Sequence, residues 1–431
     1  MLVDDDLLAA RVADARRGSF YARHLAGKNC VTRADFQNLP TSSVRDLGPD
    51  GLSELHSPTP QADELGNAAA FLSGFAPDLD AQPLMEAILG GSLAAKASAG
   101  LAGMGPGSVP EIRCWRSETL LEVARGLIDL QPSAIAAEPR ALLLLAEAAQ
   151  VSGAPGVPSS VDTVLADGLL PSSLGARLES DWGARVVEWY RRPEALVLGA
   201  SCAEGSLHLA NDLYSCEILD PVRGEAVPPG ERGVLVITSL EPTSYPLVRW
   251  STGDLLEVGT SVCKCKRPDF PVRRLGPAAD SIMIGGRAST PVEILSASQT
   301  FATALDSRIF HTGVRTQDIR ILVEVAETSA ALPTKDYLEL RRQIGLPMDV
   351  GFVARGSDLG SLLLDEIDDA SAGQLWHLAD WAPRERSSSR GGEPSSGSFF
   401  SADRWRAYRQ ERQRRSRRRS LWRMMKSQEP L

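Results

Sequence analysis

CAEGSLH at Cys202–His208 opens the stretch that decides the fold of this chain. PLVRWSTGD at Pro246–Asp254, CKC at Cys263–Cys265 and RRLGPAAD at Arg273–Asp280 follow it. Between and beside these motifs, the short apolar segments SLHLA, SCEILD, GVLVITSL, PLVRW and LLEVG are separated by turn residues. This spacing predicts several short strands joined by turns. The stretch therefore indicates a β-rich subdomain at about 200–275.

The same stretch contains a candidate metal site. Cys202, His208, Cys263 and Cys265 supply three thiolates and one imidazole, which is the donor set of tetrahedral Cys3His zinc. The pairs are spaced C-x5-H and C-x-C, so the fold must bring them together. A closed four-ligand set leaves no open coordination position, which predicts a structural ion. Cysteines are also common core residues, and the residue types alone leave that alternative open.

The chain before this stretch alternates strands with helices. Strands are predicted at EIRCW, SAIAAEP, VDTVLADG and ARVVEWY, and helices at PRALLLLAEAAQVSG and SSLGARLESDWG. Further helices are predicted over 67–76, over 83–100, and over SETLLEVARGLIDL with Ser117 as its cap. Alternation of this kind is typical of a mostly parallel, helix-covered sheet. The fold class is therefore α/β, with a large domain over 1–280.

The chain after this stretch predicts a smaller domain and a tail. IRILVEV and VGFVA predict strands and KDYLELRRQIG a helix, so 281–384 indicates an α+β domain. Residues 385–431 are low in complexity, and arginines crowd 412–423, which predicts a disordered basic tail. The tail is either a nucleic-acid or acidic-surface arm or a solubilising extension.

Composition limits the classes of function. The 431 residues carry a formal net charge of −9, which argues against nucleic acid as a partner of the folded body. The sequence contains no run of about eighteen apolar residues, so it predicts no membrane span. The amino terminus places acids before a short apolar patch, the reverse of a secretory signal. We therefore expect a cytoplasmic protein, in which clustered cysteines favour metal over disulfides.

A family resemblance rests on six elements in order. The chain contains, in this order, SLHLANDLYSCEILDP, GERGVLVIT, PLVRWSTGD, CKCKR, GPAADSIMIGG and RASTP. They resemble, respectively, the patterns GLHI-x-ED with IIDP, GE-x-G-x-LVIT, PLIRYRTGD, CxCGR, GRADDMIIIRG and NVFP. These patterns belong to the phenylacetate–coenzyme A ligase branch of the adenylate-forming superfamily. The opening FYARHL and LPTSSVRDL are also similar, so the resemblance covers most of 1–383.

The resemblance implies roles for individual residues. Asp254 matches the aspartate that holds the AMP ribose hydroxyls, and Glu194, in YRRPE for Y-G-x-S-E, matches the glutamate that binds magnesium. Arg274 matches a basic position before the hinge, and Asp280 the hinge aspartate. Some relatives bind zinc with the Cys-His and Cys-x-Cys pairs. The implied cofactors are ATP or AMP with magnesium, coenzyme A, and structural zinc.

Several family features are missing from this chain. LHSPTPQ keeps only fragments of the phosphate loop, and its prolines remove amide donors. Pro277 replaces the GR arginine, Arg191 and Pro193 replace the glycine and serine of Y-G-x-S-E, and no lysine lies between Lys335 and Lys426. Each such loss weakens stabilisation of developing phosphate charge, commonly by roughly a hundred- to a thousand-fold.

Two functions follow from this mixture. The first is ATP-dependent activation of a small, aromatic-type carboxylic acid, followed by transfer to coenzyme A or another nucleophile. The second is a zinc-stabilised homologue without turnover that binds a small molecule or a partner protein, or forms a homodimer.

Overall fold

The computed structural model describes residues 4–28, 30–48, 51–56, 71–72, 75, 84–89, 112–117, 127–129, 131–151, 157–192, 194–243, 245–284, 287–299, 304–311, 319–325 and 349–354. The chain divides into two compact units, one comprising Met1–Ile218 with Ala226–Pro277 and the other Leu219–Glu225 with Ala278–Leu431. LHSPTPQ beyond His56, the glycine-rich segment near 100, the predicted helix at 335–345 and the basic tail lie outside the described residues.

The first unit begins with three helices: α1 (Asp5–Ala15), α2 (Ser19–His24) and α3 (Arg33–Gln37). Thr32 caps α3 through a reciprocal capping box with Asp35. Two short 3-10 helices follow, Val44–Asp46 and Gly51–Leu55.

The α/β part contains β1 (Leu84–Leu89), β2 (Ile112–Ser117), β3 (Ala134–Ala137), α4 (Pro139–Val151), β4 (Thr163–Ala166), α5 (Ser172–Trp182) and β5 (Arg185–Arg192). β3 and β4 are buried at every residue, as expected of parallel strands covered on both faces. Leu174, Leu178 and Trp182 form one buried face of α5, and the Trp182 indole donates to the Leu142 carbonyl of α4. α5 ends at Gly183, whose φ of 62° is the left-handed cap that glycine adopts readily.

The β-rich part contains β6 (Ala195–Ser201), β7 (Leu207–Leu209), β8 (Tyr214–Leu219), β9 (Arg232–Ser239), β10 (Trp250–Val258) and β11 (Val272–Pro277). It continues the same sheet, whose eleven strands run in the order β2-β1-β3-β4-β5-β6-β7-β11-β10-β9-β8. The β1–β5 pairs are parallel, and the pairs from β5–β6 through β10–β9 are antiparallel. The β7–β11 ladder has a single register pair, Leu207 with Val272.

The amino-terminal helices are fixed to the antiparallel part of the sheet. Leu8, Val12, Phe20 and Tyr21 belong to one buried cluster with Trp250 and other residues of β6, β9 and β10. The Tyr21 hydroxyl accepts from the Val248 amide at 2.9 Å. The buried Arg249 guanidinium donates to the Gln37 and Leu39 carbonyls and pairs with Glu217 at 3.2 Å.

Two sequence predictions were wrong, and a third lies partly outside the described residues. Ser117, the predicted cap of a helix, is the last residue of β2, and residues 118–126 of that predicted helix are not among the described residues. Residues 84–89, within the helix predicted at 83–100, form β1 between β2 and β3, so sheet pairing overrides helical periodicity there. PLVRW and LLEVG were predicted as two strands, but one strand, β10, runs unbroken from Trp250 to Val258. The pairing of β10 with β9 shifts register between Ser251 and Leu255, so the residues between them are accommodated as a bulge.

The second unit begins with the 3-10 helix Ala278–Asp280, followed by the hairpin β12 (Ile282–Ile284) and β13 (Arg287–Ser289). α6 (Pro291–Ser298) starts with a capping box between Thr290 and Glu293. β14 (Ala304–His311) pairs antiparallel with β15 (Ile319–Val325), and β16 (Asp349–Ala354) adds in parallel. The predicted strands IRILVEV and VGFVA are thus confirmed. Among the helices described in either unit, none is long and apolar enough to cross a membrane.

Candidate functional site

The four predicted metal ligands converge in the first unit. One ligand atom from each of Cys202, His208, Cys263 and Cys265 lies within 4.8 Å of all the others. The Cys202 and Cys263 sulfurs are 3.6 Å apart, and Cys265 Sγ lies 3.2 Å from His208 Nε2. His208 is fully buried, and Cys202 and Cys263 are nearly so. The donor set, spacing and burial therefore fit a closed tetrahedral ion of the zinc class.

Two turns present the ligands. Cys202 follows β6, and its amide donates to the Ser206 carbonyl across a turn in which Gly205 has a φ of 70°. This turn returns the chain into β7, which carries His208. The second turn is closed by the Lys266 amide, which donates to the Cys263 carbonyl. Cys202 and His208 therefore lie on the β6–β7 hairpin and Cys263 and Cys265 on a separate turn, and the fold brings the two pairs together.

A carboxylate and an aromatic cover complete the surroundings of the cluster. Asp269 Oδ2 lies 3.3 Å from His208 Nδ1, which orients the ring so that Nε2 faces the thiols. Phe75 lies beside the His208 ring, and the Arg267 guanidinium stacks on Phe75 with its carbon 3.9 Å from the ring centroid. A carboxylate can only accept from Nδ1–H, so the Asp269 contact favours the tautomer that leaves Nε2 available to a metal ion.

The pKa values of the two buried thiols, Cys202 and Cys263, are shifted in opposite directions. Burial raises the pKa of Cys202 to about 11. Donation from the Cys265 backbone amide, with help from Ser206 and His208, lowers the pKa of Cys263 to about 6. Burial disfavours the His208 imidazolium, but hydrogen bonds with Asp269 and Cys263 outweigh it and raise the pKa of His208. The cluster thus already favours one thiolate near neutral pH.

The predicted ribose carboxylate lies on β10 and is held by two arginines. Asp254 is completely buried; its Oδ1 lies 3.5 Å from Arg192 Nη1 and its Oδ2 lies 3.3 Å from Arg274 Nη2. Arg274 comes from β11 and stacks on the Tyr190 ring, 4.2 Å from its centroid. In the β10–β11 register, Asp254 lies opposite Pro277. Arg192 and Arg274 therefore place two guanidinium groups beside the Asp254 carboxylate.

Glu194, the predicted magnesium ligand, also contacts other side chains. The Trp250 indole donates to Glu194 Oε1 at 3.1 Å, and Arg192 Nε lies 3.9 Å from the same oxygen. Magnesium requires near-octahedral oxygen ligands and usually retains several waters. Here the described groups around Glu194 are an N–H donor and a guanidinium, so the residues present do not fit that ion.

Glu188 is a second buried carboxyl on the strand that carries Arg192. It is almost fully buried, and no described residue forms a hydrogen bond with its Oε1. Burial raises the pKa of Glu188 to about 7, although the Arg274 charge opposes the shift. Arg191, on the opposite face of β5, pairs with Asp167 at 2.7 Å and stacks on Trp189. It therefore does not substitute for a phosphate ligand at Asp254.

Sequence reasoning missed three contacts. Asp269 lies outside the quoted motifs, and Trp250 lies within PLVRWSTGD but no role was predicted for it, because both contacts depend on which loop or strand folds beside them. Nothing in the sequence placed Arg192 between Asp254 and Glu194. Asp280 lies exposed at the end of the 3-10 helix that begins the second unit, and its hinge role stays a prediction.

Comparisons with known proteins give relatives and a fold. No family model matches the chain. The chain is 30% identical over 176 residues to a phenylacetate–coenzyme A ligase of Thermus thermophilus, and 36% identical over 87 residues to one of Pseudomonas putida. These matches cover 38% and 19% of this chain, and they span only 39% and 18% of the two relatives.

Solved structures extend the likeness to the fold. A 2-hydroxyisobutyryl-CoA ligase in the postadenylation state aligns with a TM-score of 0.66 at 20% identity, covering 82% of this chain and 86% of that one. An anthranilate CoA ligase in complex with anthranoyl-AMP aligns with a TM-score of 0.55 at 15% identity, covering 73% and 66%. At these identities the alignments show a shared fold.

Proposed function

We propose that this chain, a relative of the phenylacetate–coenzyme A ligase branch with the fold of adenylate-forming CoA ligases, activates a small carboxylic acid. In this reaction the substrate carboxylate attacks the α-phosphorus of ATP and pyrophosphate leaves. The thiol of coenzyme A then attacks the acyl carbon of the adenylate, and AMP leaves. The activity, the substrates and the cytoplasmic location are all part of the proposal.

One observation carries the proposal. Asp254 and Glu194, which match the nucleotide carboxylates of the family, lie around a common guanidinium, that of Arg192, although they come from separate strands or turns. Arg274 on β11 adds a second cation at Asp254. This juxtaposition supports a nucleotide site in this part of the sheet, and the proposal assigns the two guanidinium groups to the phosphate charge that develops in such a reaction.

A screen of pyrophosphate release tests this function. Purified chain with ATP would be offered phenylacetate, anthranilate and 2-hydroxyisobutyrate, in the presence and absence of coenzyme A. We expect release with an aromatic acid, because the similar sequences are phenylacetate ligases. Asp254→Asn should reduce release by about a hundred-fold, whereas Asp212→Asn on the exposed surface should not. Release that is unchanged in Asp254→Asn would contradict the assignment.

A second candidate, ligand binding without turnover, is favoured by the burial of Asp254. Both of its carboxylate oxygens are engaged by arginines, and Pro277 lies opposite it where the family has arginine. A chain of this kind would bind AMP or an acid and act through a partner or a homodimer. Calorimetric binding of AMP together with no pyrophosphate release for any acid would favour this candidate over the ligase.

The Cys3His cluster is proposed to hold structural zinc. The support is the convergence of four ligand atoms, their burial, and the Asp269 contact that orients His208. When bound, zinc would join two turns and would supply no open position for substrate. Elemental analysis of protein purified without chelator should give about one zinc per chain, and less than half an equivalent would remove the assignment.

A further inference from the structure

The Arg192 guanidinium is held in place from several directions. Its Nη2 donates to the Thr252 carbonyl at 3.0 Å, and its Nη1 lies 3.5 Å from Asp254 Oδ1. Its Nε lies 3.9 Å from Glu194 Oε1. The guanidinium therefore occupies the space between the two carboxylates that the resemblance assigns to ribose and magnesium.

Exposure shows which of these groups a ligand would meet. The side chains of Asp254 and Glu194 are 0% and 2% exposed, whereas that of Arg192 is 28% exposed. An incoming molecule therefore contacts a cation and not a carboxylate. A guanidinium of this kind binds phosphate oxygens in a planar, two-pronged geometry.

A second arginine strengthens the same preference. The Arg274 side chain is nine-tenths buried and its Nη2 is bonded to Asp254, yet among the described residues its Nε and Nη1 have no hydrogen-bond partner. Buried donors of a charged group are costly when left unsatisfied. An anionic oxygen from a ligand would satisfy them, so Arg274 supports anion binding independently of Arg192.

We infer that Arg192, backed by Arg274, is the phosphate-binding group of this site and replaces the divalent cation, so that the chain binds AMP without magnesium. The inference rests on the proposed nucleotide-binding function and specifies how the phosphate is recognised. It also accounts for the poor fit of magnesium at Glu194, whose oxygen already faces Arg192 and the Trp250 indole.

Calorimetric titration of the zinc-loaded full chain tests the inference. AMP and adenosine would each be titrated in magnesium-free buffer and again with millimolar magnesium. We expect the Kd for AMP to agree within about two-fold in both buffers. We expect adenosine, which lacks the phosphate, to bind about ten-fold more weakly or worse, because a charge-assisted hydrogen bond is lost.

Variants locate the effect at Arg192. Arg192→Met should weaken AMP binding about ten-fold and bring AMP close to adenosine, and Arg192→Lys should recover part of the difference. Arg273→Met is the matched control: its residue also lies on a strand of this sheet but pairs with Glu257, away from the site. The control should bind AMP like the wild type.

The outcomes separate the inference from the proposed function. Wild-type AMP binding that is about ten-fold tighter with magnesium, or equal Kd values for AMP and adenosine, would overturn the inference and leave nucleotide binding standing. No AMP binding at millimolar concentration in either buffer would overturn both. These wild-type measurements decide the matter even if Arg192→Met fails to fold.

Discussion

Asp269 shows how a single residue outside the ligand set controls the metal cluster. Its carboxylate fixes His208 Nδ1, which leaves Nε2 directed at the thiols. We predict that Asp269→Asn lowers zinc affinity by about 10- to 100-fold, because the amide holds the ring less firmly and lowers its basicity.

Competition with a chromogenic chelator would measure the affinity, with Cys263→Ser as the variant expected to lose the ion. Cys30→Ser, which changes a cysteine outside the cluster, should bind zinc like the wild type. Unchanged affinity in Asp269→Asn would mean that the His208 ring is oriented by packing alone.

Glu188 is the residue through which pH is expected to affect stability. Burial raises its pKa from the usual value of 4.5 to about 7. An acid whose pKa is higher in the folded state makes its full contribution to stability below the pKa of the unfolded state. That contribution is lost as the pH rises through the folded-state pKa, here about 7. Glu188→Gln, which mimics the protonated acid, should therefore match the wild type near pH 5 and be more stable near pH 9, by roughly 1–3 kcal/mol.

Urea unfolding at the two pH values would measure this difference. Asp181 is a useful comparison, since burial raises its pKa also, but it lies partly exposed on α5 beside Arg177. Asp181→Asn should show a smaller dependence on pH. A Glu188→Gln variant that is less stable than the wild type at pH 9 would show that Glu188 stabilises Arg274 as an ionised partner.

At the scale of elements, the β6–β7 hairpin controls where His208 lies. Gly199 on β6 pairs with Leu209, and a Cβ added to it would lie 2.5 Å from the His208 carbonyl oxygen. This oxygen belongs to the backbone, so it cannot move aside as the end of a flexible side chain can. Gly199→Ala should therefore separate β6 from β7, cost roughly 1–3 kcal/mol of stability, and weaken zinc binding.

The matched control is Gly175→Ala in α5, where the added Cβ meets only Leu170 side-chain atoms at 3.7 and 3.8 Å. Alanine in a helix interior should raise stability by up to about 1 kcal/mol and leave zinc affinity unchanged. Thermal unfolding and chelator competition on both variants would check the pair. Equal zinc affinity in Gly199→Ala and wild type would show that the hairpin tolerates the extra methyl group.

The whole molecule shows which properties local sequence could reveal. The Cys3His cluster could be predicted because its four residues match the donor set of a tetrahedral zinc site, and β3 and β4 could be predicted because buried parallel strands are continuous and apolar. Residues 84–89 were misassigned because their strand character comes from pairing with β2 and β3, which local periodicity does not record. The position of Arg192 depends on how β5, β10 and the turn before β6 meet, and that is a tertiary property.

The Cys3His cluster lies beside a short ladder of the eleven-stranded sheet. β7 and β11 are joined by one register pair, and they connect the β1–β6 side of the sheet to β10, β9 and β8. His208 lies in β7, Cys202 precedes β7, and Cys263 and Cys265 precede β11 in the chain. A metal ion would therefore cross-link the segments that lead into β7 and β11, which would give the cluster a role in holding the sheet together.

Removal of the metal tests this role. We predict that chelation accelerates amide exchange in β9, β10 and β11 far more than in β3, β4 and β5. At a free zinc concentration a hundred times Kd, the bound ion contributes about 2.7 kcal/mol, so protection across the junction should fall by roughly a hundred-fold on its removal. Hydrogen exchange with mass spectrometry would measure both groups of strands, zinc addition should restore protection, and Cys263→Ser should behave like the chelated protein. Equal acceleration in β3–β5 and β9–β11 would contradict a local cross-link, since it would place the ion's stabilising effect on the fold of the whole unit.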